Sequence, residues 1–155
     1  MKKVEIYTDG ACTGNPGKGG FGAILVYNGN EKRISKGFRL TTNNRMELLG
    51  AIEALRLLKE KCEVTLTSDS KYLTDAINKG WLNSWQKNGW KKADKKPVLN
   101  IDLWQELLYL VNEHDVRFEW VKGHAGNHYN EICVLMAVEA YNTNAVNIDE
   151  NYENS

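Results

Sequence analysis

The sequence predicts an α/β domain: a mixed five-stranded sheet with helices packed against it. Three observations carry that prediction. The first forty residues hold three β-rich segments, two of them joined by an Asn28-Gly29 hairpin signal. Segments of helical and strand period then alternate to about residue 141. A 42% hydrophobic content over 155 residues suits one core rather than two. A meander of three strands followed by alternating helices and strands gives antiparallel pairing first and parallel additions after it.

Each element has its own signal. VEIYTD (4–9) alternates and is predicted to be a strand ending at Asp9, followed by a turn-rich loop, GACTGNPGKGG. FGAILVY and KRISKGF flank NGNE as a hairpin. TTNNRMELLGAIEALRLLKE turns to helical period, with Leu48, Ile52 and Leu55 on one face and Thr41 to Asn44 available as caps. EVTLTSD (63–69) is a fourth strand that again ends in an aspartate, and SKYLTDAINK is a short helix. Residues 80 to 96 form a Lys/Trp-rich excursion. NIDLWQELLYLVNEH is an amphipathic helix, VRFEWVK a fifth strand, and residues 127 to 141 a last helix. The domain is therefore drawn over residues 1–141. The tail at 142–155 has five asparagines, three acids and little to bury, and is predicted to be disordered.

Twenty basic residues balance twenty acidic ones, so a global basic field cannot account for nucleic-acid binding, and any such surface must be local. Three unpaired-looking cysteines argue against a disulfide framework or a zinc site and for a reducing cytoplasm. The apolar run ICVLMAV is far short of the roughly 20 residues of a membrane span. From Lys79 to Lys96, six lysines face one acid, with Trp81, Trp85 and Trp90 interleaved. The lysines, Lys87, Lys91 and Lys92 among them, read as a phosphate-gripping patch. Trp81 and Trp85 share a helix face, so packing at the base of the protrusion competes with contact to nucleic acid.

Asp9 and Asp69 each sit at the end of an apolar strand, and Glu47 lies in the first turn of the helix between them. Singly, each reads as a cap or a solvated strand end. Together, three carboxylates from separate elements converge only if something offsets their repulsion, and a hard divalent cation does so. Two such ions about 4 Å apart would clamp the attacking and leaving oxygens of a phosphodiester.

YTDGACTGNPGKGGFGAIL, TTNNRMELLGAIEAL, TSDSKY and WVKGHAGN…NE resemble bacterial ribonuclease H of the type 1 family, over about residues 3 to 141. The resemblance implies the ribonuclease H fold. It also implies hydrolysis of the RNA strand of RNA/DNA hybrids, with Mg²⁺ (or Mn²⁺ as substitute), leaving 3′-hydroxyl and 5′-phosphate ends. Asp9, Glu47 and Asp69 match the metal-binding acids, and His124 matches the loop histidine associated with proton transfer and product release. Gly10, Ala11, Cys12, Asn15, Thr42, Asn43 and Asn44 match hybrid-contacting positions, and the lysine-rich excursion matches the basic protrusion. A cytoplasmic monomer with no membrane partner is the expectation.

One position departs from the pattern. The family carries a fourth acid one residue past the position of Cys133, where this chain has Val134, beside the apolar Ile132, Leu135 and Val138. Cys133, Met136, Ala137 and Ala140 share the stripe expected to face the core. Glu131 lies on the adjacent turn and is not assumed to substitute. The expectation is a working but weakened nuclease; the alternative is a catalytically silent hybrid-binding protein.

Overall fold

β1 (Lys2–Cys12) organises the sheet, because it is the strand that pairs in both senses. The computed structural model describes residues 1–123 and 125–155. β1 pairs antiparallel with β2 (Gly17–Tyr27), which pairs antiparallel with β3 (Asn30–Thr41). On its other side β1 pairs parallel with β4 (Cys62–Ser68), and β4 with β5 (Asp115–Trp120). The order β3-β2-β1-β4-β5 is the predicted mixed sheet.

α1 (Asn43–Arg56) packs against β1 and β2 through Met46, Leu48, Ile52 and Leu55, all fully buried. Thr42 caps it, its hydroxyl accepting from the Arg45 amide at 3.2 Å. The helix stops at Arg56, four residues before its predicted end, where Leu57 and Leu58 close it with tighter turns. α2 (Lys71–Asn78) is capped by Ser70, and α4 (Ile101–Glu113) buries Trp104 against Tyr72 and Trp85. The Lys/Trp excursion contains a helix of its own, α3 (Trp81–Lys87). Its Trp85 is part-buried on Trp104, with ring centroids 5.6 Å apart, which favours the packing reading for that residue. Trp81 is exposed.

α5 (His128–Thr143) lies across β1, β2 and β3 with Cys133, Ala137 and Ala140 buried, as the stripe predicted; Met136 sits at the margin of that face. The approach is close because the sheet beneath is glycine. A Cβ on Gly22 would stand 2.6 Å from the Met136 Cβ and 2.8 Å from the Cys133 carbonyl oxygen.

Two sequence expectations need correction. β1 does not stop at Asp9, and the glycine-rich stretch after it is mostly strand: Asp9, Gly10, Ala11 and Cys12 pair with Gly22, Phe21, Gly20 and Gly19. Of the glycines read as a loop, Gly20 admits α5, while Gly10 and Gly19 make room for Met46 of α1. The tail at 142–155 is also packed rather than free. Asn147 pairs beside β3, α6 (Glu150–Glu153) follows, and Asp149 is buried against Arg45. An ion pair across 104 residues leaves no local trace in composition.

Gly22→Ala tests the helix–sheet approach. The added methyl must push α5 off the sheet, and a loss of about 1–3 kcal/mol is expected in chemical denaturation. An unchanged midpoint would mean α5 is not held by that contact.

Candidate active site

The site forms where β1 loses its parallel neighbour. Pairing with β4 ends at Tyr7↔Thr67, whereas pairing with β2 continues to Cys12. The strands part there, and a crevice at the carboxyl ends of parallel strands is where open α/β sheets place their sites. Asp9 lies two residues beyond the last β1–β4 pair, and Asp69 follows β4 directly. Glu47 reaches in from the first turns of α1. One carboxylate oxygen from each lies within 4.8 Å of the others. The three acids singled out in the sequence therefore converge.

Their surroundings hold them firmly. The Gly10 amide donates to Glu47 Oε1 at 3.0 Å, while Glu47 Oε2 is buried with no hydrogen-bond partner among the described residues. The Trp120 indole donates to the Asp69 carbonyl at 2.9 Å, and the Val121 amide donates to Ser68 at 3.0 Å, tying β5 to the same corner. Gly123 abuts the cluster: a Cβ there would sit 2.7 Å from Asp69 Oδ2.

Burial pushes the Asp9 carboxyl well above the usual range, and the nearby Glu47 and Asp69 charges add to it. Glu47 is raised for the same reasons, burial first and then Asp69. The Cys133 thiol donates to the Tyr7 carbonyl at 3.3 Å, which sets this turn of α5 on β1 two residues before Asp9, and burial first and then Asp9 raise that thiol. Val134, the next residue, is part-buried. A buried carboxylate oxygen without a partner, in a trio that favours protons, is the donor set a hard divalent cation would satisfy.

The other predicted residues divide into groups. Ala11 and Cys12 are part-buried at the end of β1. Asn15, Asn43 and Asn44 are exposed, and the Asn43 amide donates to Asn15 Oδ1 at 3.1 Å, so the β1–β2 turn and the start of α1 form one surface. Thr42 serves that surface as the helix cap. Lys87, Lys91 and Lys92 are exposed on and after α3. His124 lies outside the described residues.

Sequence reasoning missed Arg45, which lies between the asparagines and Glu47. It is 4% exposed and carries two acidic partners, Asp102 and Asp149. An arginine between buried helix positions is the one signal that could have flagged it, without naming its partners.

Metal-free stability should carry the imprint of the trio. Unfolded carboxyls titrate near pH 4, so above about pH 4 the folded state binds protons that the unfolded state has released. Stability without metal therefore falls as pH rises from 5 to 8, toward the raised folded values of Asp9 and Glu47. Asp9→Asn should flatten that slope and raise metal-free stability at pH 8 by about 1–2 kcal/mol. Thermal unfolding in chelator across pH checks this, and parallel wild-type and Asp9→Asn profiles would refute it.

Comparison with known proteins places this geometry in a family. The RNase H family matches residues 1–142. A curated ribonuclease H from Rippkaea orientalis is 56% identical over 153 residues, covering 99% of this chain and 94% of the relative. Among solved structures, LC9-RNase H1, described as a type 1 RNase H with the type 2 active-site motif, aligns with a TM-score of 0.81 and 35% identity. That alignment covers 92% of this chain and 73% of the other. LC11-RNase H1, solved in complex with RNA/DNA hybrid, aligns with a TM-score of 0.67 at 23% identity over 90% of this chain and 96% of the other, a likeness of fold. With the mixed sheet and the acid trio on these elements, the chain belongs to the ribonuclease H family.

Proposed function

We propose that this chain hydrolyses the RNA strand of RNA/DNA hybrids, leaving 3′-hydroxyl and 5′-phosphate ends, with Mg²⁺ or Mn²⁺ held by Asp9, Glu47 and Asp69. The observation that carries this reading is the convergence of those three carboxylates at the parted ends of β1 and β4. A divalent cation bound there supplies charge neutralisation at the scissile phosphate and activates the attacking water.

The chain's own residues do the rest. Glu47 is oriented by the Gly10 amide through one oxygen, which leaves the other free for a ligand. Asp69 is held through its backbone carbonyl by Trp120, which places the start of its side chain at the cluster. Asn15, Thr42, Asn43 and Asn44 present amide and hydroxyl groups along one surface, suited to the DNA strand and to minor-groove edges. Ala11 and Cys12, small and part-buried at the end of β1, let the RNA strand approach the backbone closely, whereas Gly10 is buried and its missing side chain makes room for α1 instead. Lys87, Lys91 and Lys92 supply a phosphate-binding lobe, with the exposed Trp81 beside it and Trp85 underneath. His124 is assigned proton transfer and product release on the family pattern. The protein acts as a cytoplasmic monomer in this reading, and no helix among the described residues is long and apolar enough to cross a membrane.

Val134 favours a second reading, a hybrid-binding protein without cleavage, because the family's fourth acid is absent from the α5 turn that packs on β1 at Tyr7. A labelled hybrid assayed in Mg²⁺ and in Mn²⁺, beside double-stranded DNA and single-stranded RNA, separates the two. Cleavage confined to the hybrid, and abolished in Asp9→Asn, is expected. Silence in both metals with binding retained would favour the second reading.

Val134→Asp should raise the cleavage rate about tenfold, since positioning is most of what such a site contributes. The same change should lower metal-free stability by roughly 1 kcal/mol and narrow that gap when Mg²⁺ is added. Initial rates and thermal unfolding with and without Mg²⁺ measure both. An aspartate variant that cleaves no faster would mean position 134 does not serve the cation.

Replacing Lys87, Lys91 and Lys92 together by alanine should weaken hybrid binding and flatten its salt dependence. Each lost phosphate contact takes at most about 0.9 from the log–log slope. An unchanged slope would show that these lysines only solubilise the protrusion.

A further inference from the structure

The C-terminal segment from Asn144 to Ser155 runs as a strap from the end of α5 past β3 to the start of α1. The Arg39 amide donates to the Asn147 carbonyl at 3.0 Å, and the Asn147 amide returns a bond to the Gly37 carbonyl at 3.1 Å. Arg39 also grips Glu153, with Nη2 to Oε1 at 2.8 Å. The strap's deepest residue is Asp149. It accepts from Arg45 Nε at 2.7 Å and Nη2 at 2.9 Å, and from the Thr41 hydroxyl at 2.7 Å. Arg45 makes a second fork to Asp102 on α4, at 2.9 and 2.7 Å, and Nη1 reaches Asn100 Oδ1 at 3.3 Å. One buried guanidinium thus joins the strap, α4 and the first turn of α1.

That turn holds Thr42, Asn43 and Asn44. Thr41, bonded to the strap, precedes it, and Arg45, bonded to the strap twice, ends it. A planar guanidinium held by two forks is locked in orientation, so it ties the Thr42–Asn44 turn to the strap and to α4, while Glu47 beyond it is held separately by the Gly10 amide. The turn opens onto a pocket of about 470 Å³ whose near side carries Asn15, Thr42 and Asn44. Its far side is the strap, through Asn151 and Tyr152, and the Tyr152 ring lies 6.0 Å from the Arg45 guanidinium.

We propose that the strap belongs to the substrate-holding apparatus: Asp149 acts through Arg45 as a positioning residue for the Thr42–Asn44 turn, and Asn151 and Tyr152 wall the pocket onto which that turn opens. The inference rests on the reading of this surface as the seat of the hybrid's DNA strand. Losing the Asp149 fork leaves Arg45 pivoting on Asp102 alone, and the turn then shifts against Asn15. Binding suffers, while the acid trio on the other side of Arg45 keeps its chemistry.

The test uses the full chain, a labelled RNA/DNA hybrid and temperatures well below unfolding. Asp149→Asn is compared with Leu25→Ala, a buried site in β2 three pairs from Asp9 toward the opposite end of the sheet. Leu25→Ala reports what lost stability alone does to kinetics. Asp149→Asn should raise KM for the hybrid about fivefold with kcat changed less than about twofold, and Leu25→Ala should leave KM unchanged. An unaltered KM in Asp149→Asn, or an equal rise in Leu25→Ala, would overturn the proposal. Should Asp149→Asn fail to fold cooperatively, Tyr152→Ala decides. It keeps both carboxylates and should raise KM at least about twofold, and no change there would equally overturn it. Hybrid binding by wild type, read by fluorescence anisotropy, separates the two levels. Its absence would remove the functional reading itself, whereas binding that persists undiminished in Asp149→Asn would remove this inference alone.

Discussion

Mutual repulsion among Asp9, Glu47 and Asp69 is the constraint that the rest of the structure answers. Three buried or part-buried carboxylates with oxygens within 4.8 Å of one another would separate if their supports allowed it. The supports are of three kinds. Ladder pairing to β2 fixes Asp9 in the middle of the sheet. The Gly10 amide fixes Glu47. The indole of Trp120, from β5, fixes the backbone of Asp69. None relies on a flexible loop, and each is anchored in a strand that the core holds. The free apolar surface of α1 and α4, buried around Trp104, supplies the stability against which this unfavourable cluster is maintained.

How much of this the sequence disclosed depended on the range of the interaction involved. Periodicity is local, so the strands, the helices and their order were legible, and so was the terminal stripe of α5. The acids were legible because each sits at the end of a periodic run, where no core role accounts for it. The extension of β1 past Asp9 was not legible. Gly10, Gly19 and Gly20 read as a loop when their neighbours in sequence are considered, and as strand once α1 is known to lie on the first two and α5 on the third. The packed tail was hidden for a related reason. Composition measured its lack of apolar residues correctly, but its attachments are polar bonds and ion pairs to Gly37, Arg39, Thr41 and Arg45, all about a hundred residues away in the chain. Arg45 itself could have been suspected, as a charge among Met46, Leu48 and Leu49 on a buried helix face. Its two partners could not have been named.

Val134 follows Cys133, whose thiol donates to the Tyr7 carbonyl of β1 at 3.3 Å, and its side chain is apolar and part-buried. An acid at that position would add a like charge near a cluster that already favours protons. Under the proposed function the same acid would restrain a bound cation, so stability and positioning would pull on this one residue in opposite directions.

Charge segregation then explains why a protein with no net charge can take a polyanion as substrate. The trio, which favours protons when no cation is bound, offers no positive charge where the phosphodiester must arrive. The six lysines between Lys79 and Lys96, set against Asp94, offer the compensating attraction on a separate lobe, built on α3 and the turns after it. Screening shortens the reach of either field to about 8 Å at physiological salt. Asn15, Asn43 and Asn44 are exposed, uncharged groups that add to neither field. In the proposed reading a duplex would be gripped by the lysines and held at this asparagine surface, and the doubly forked Arg45 buried beneath it ties that surface to α4 and to the C-terminal strap.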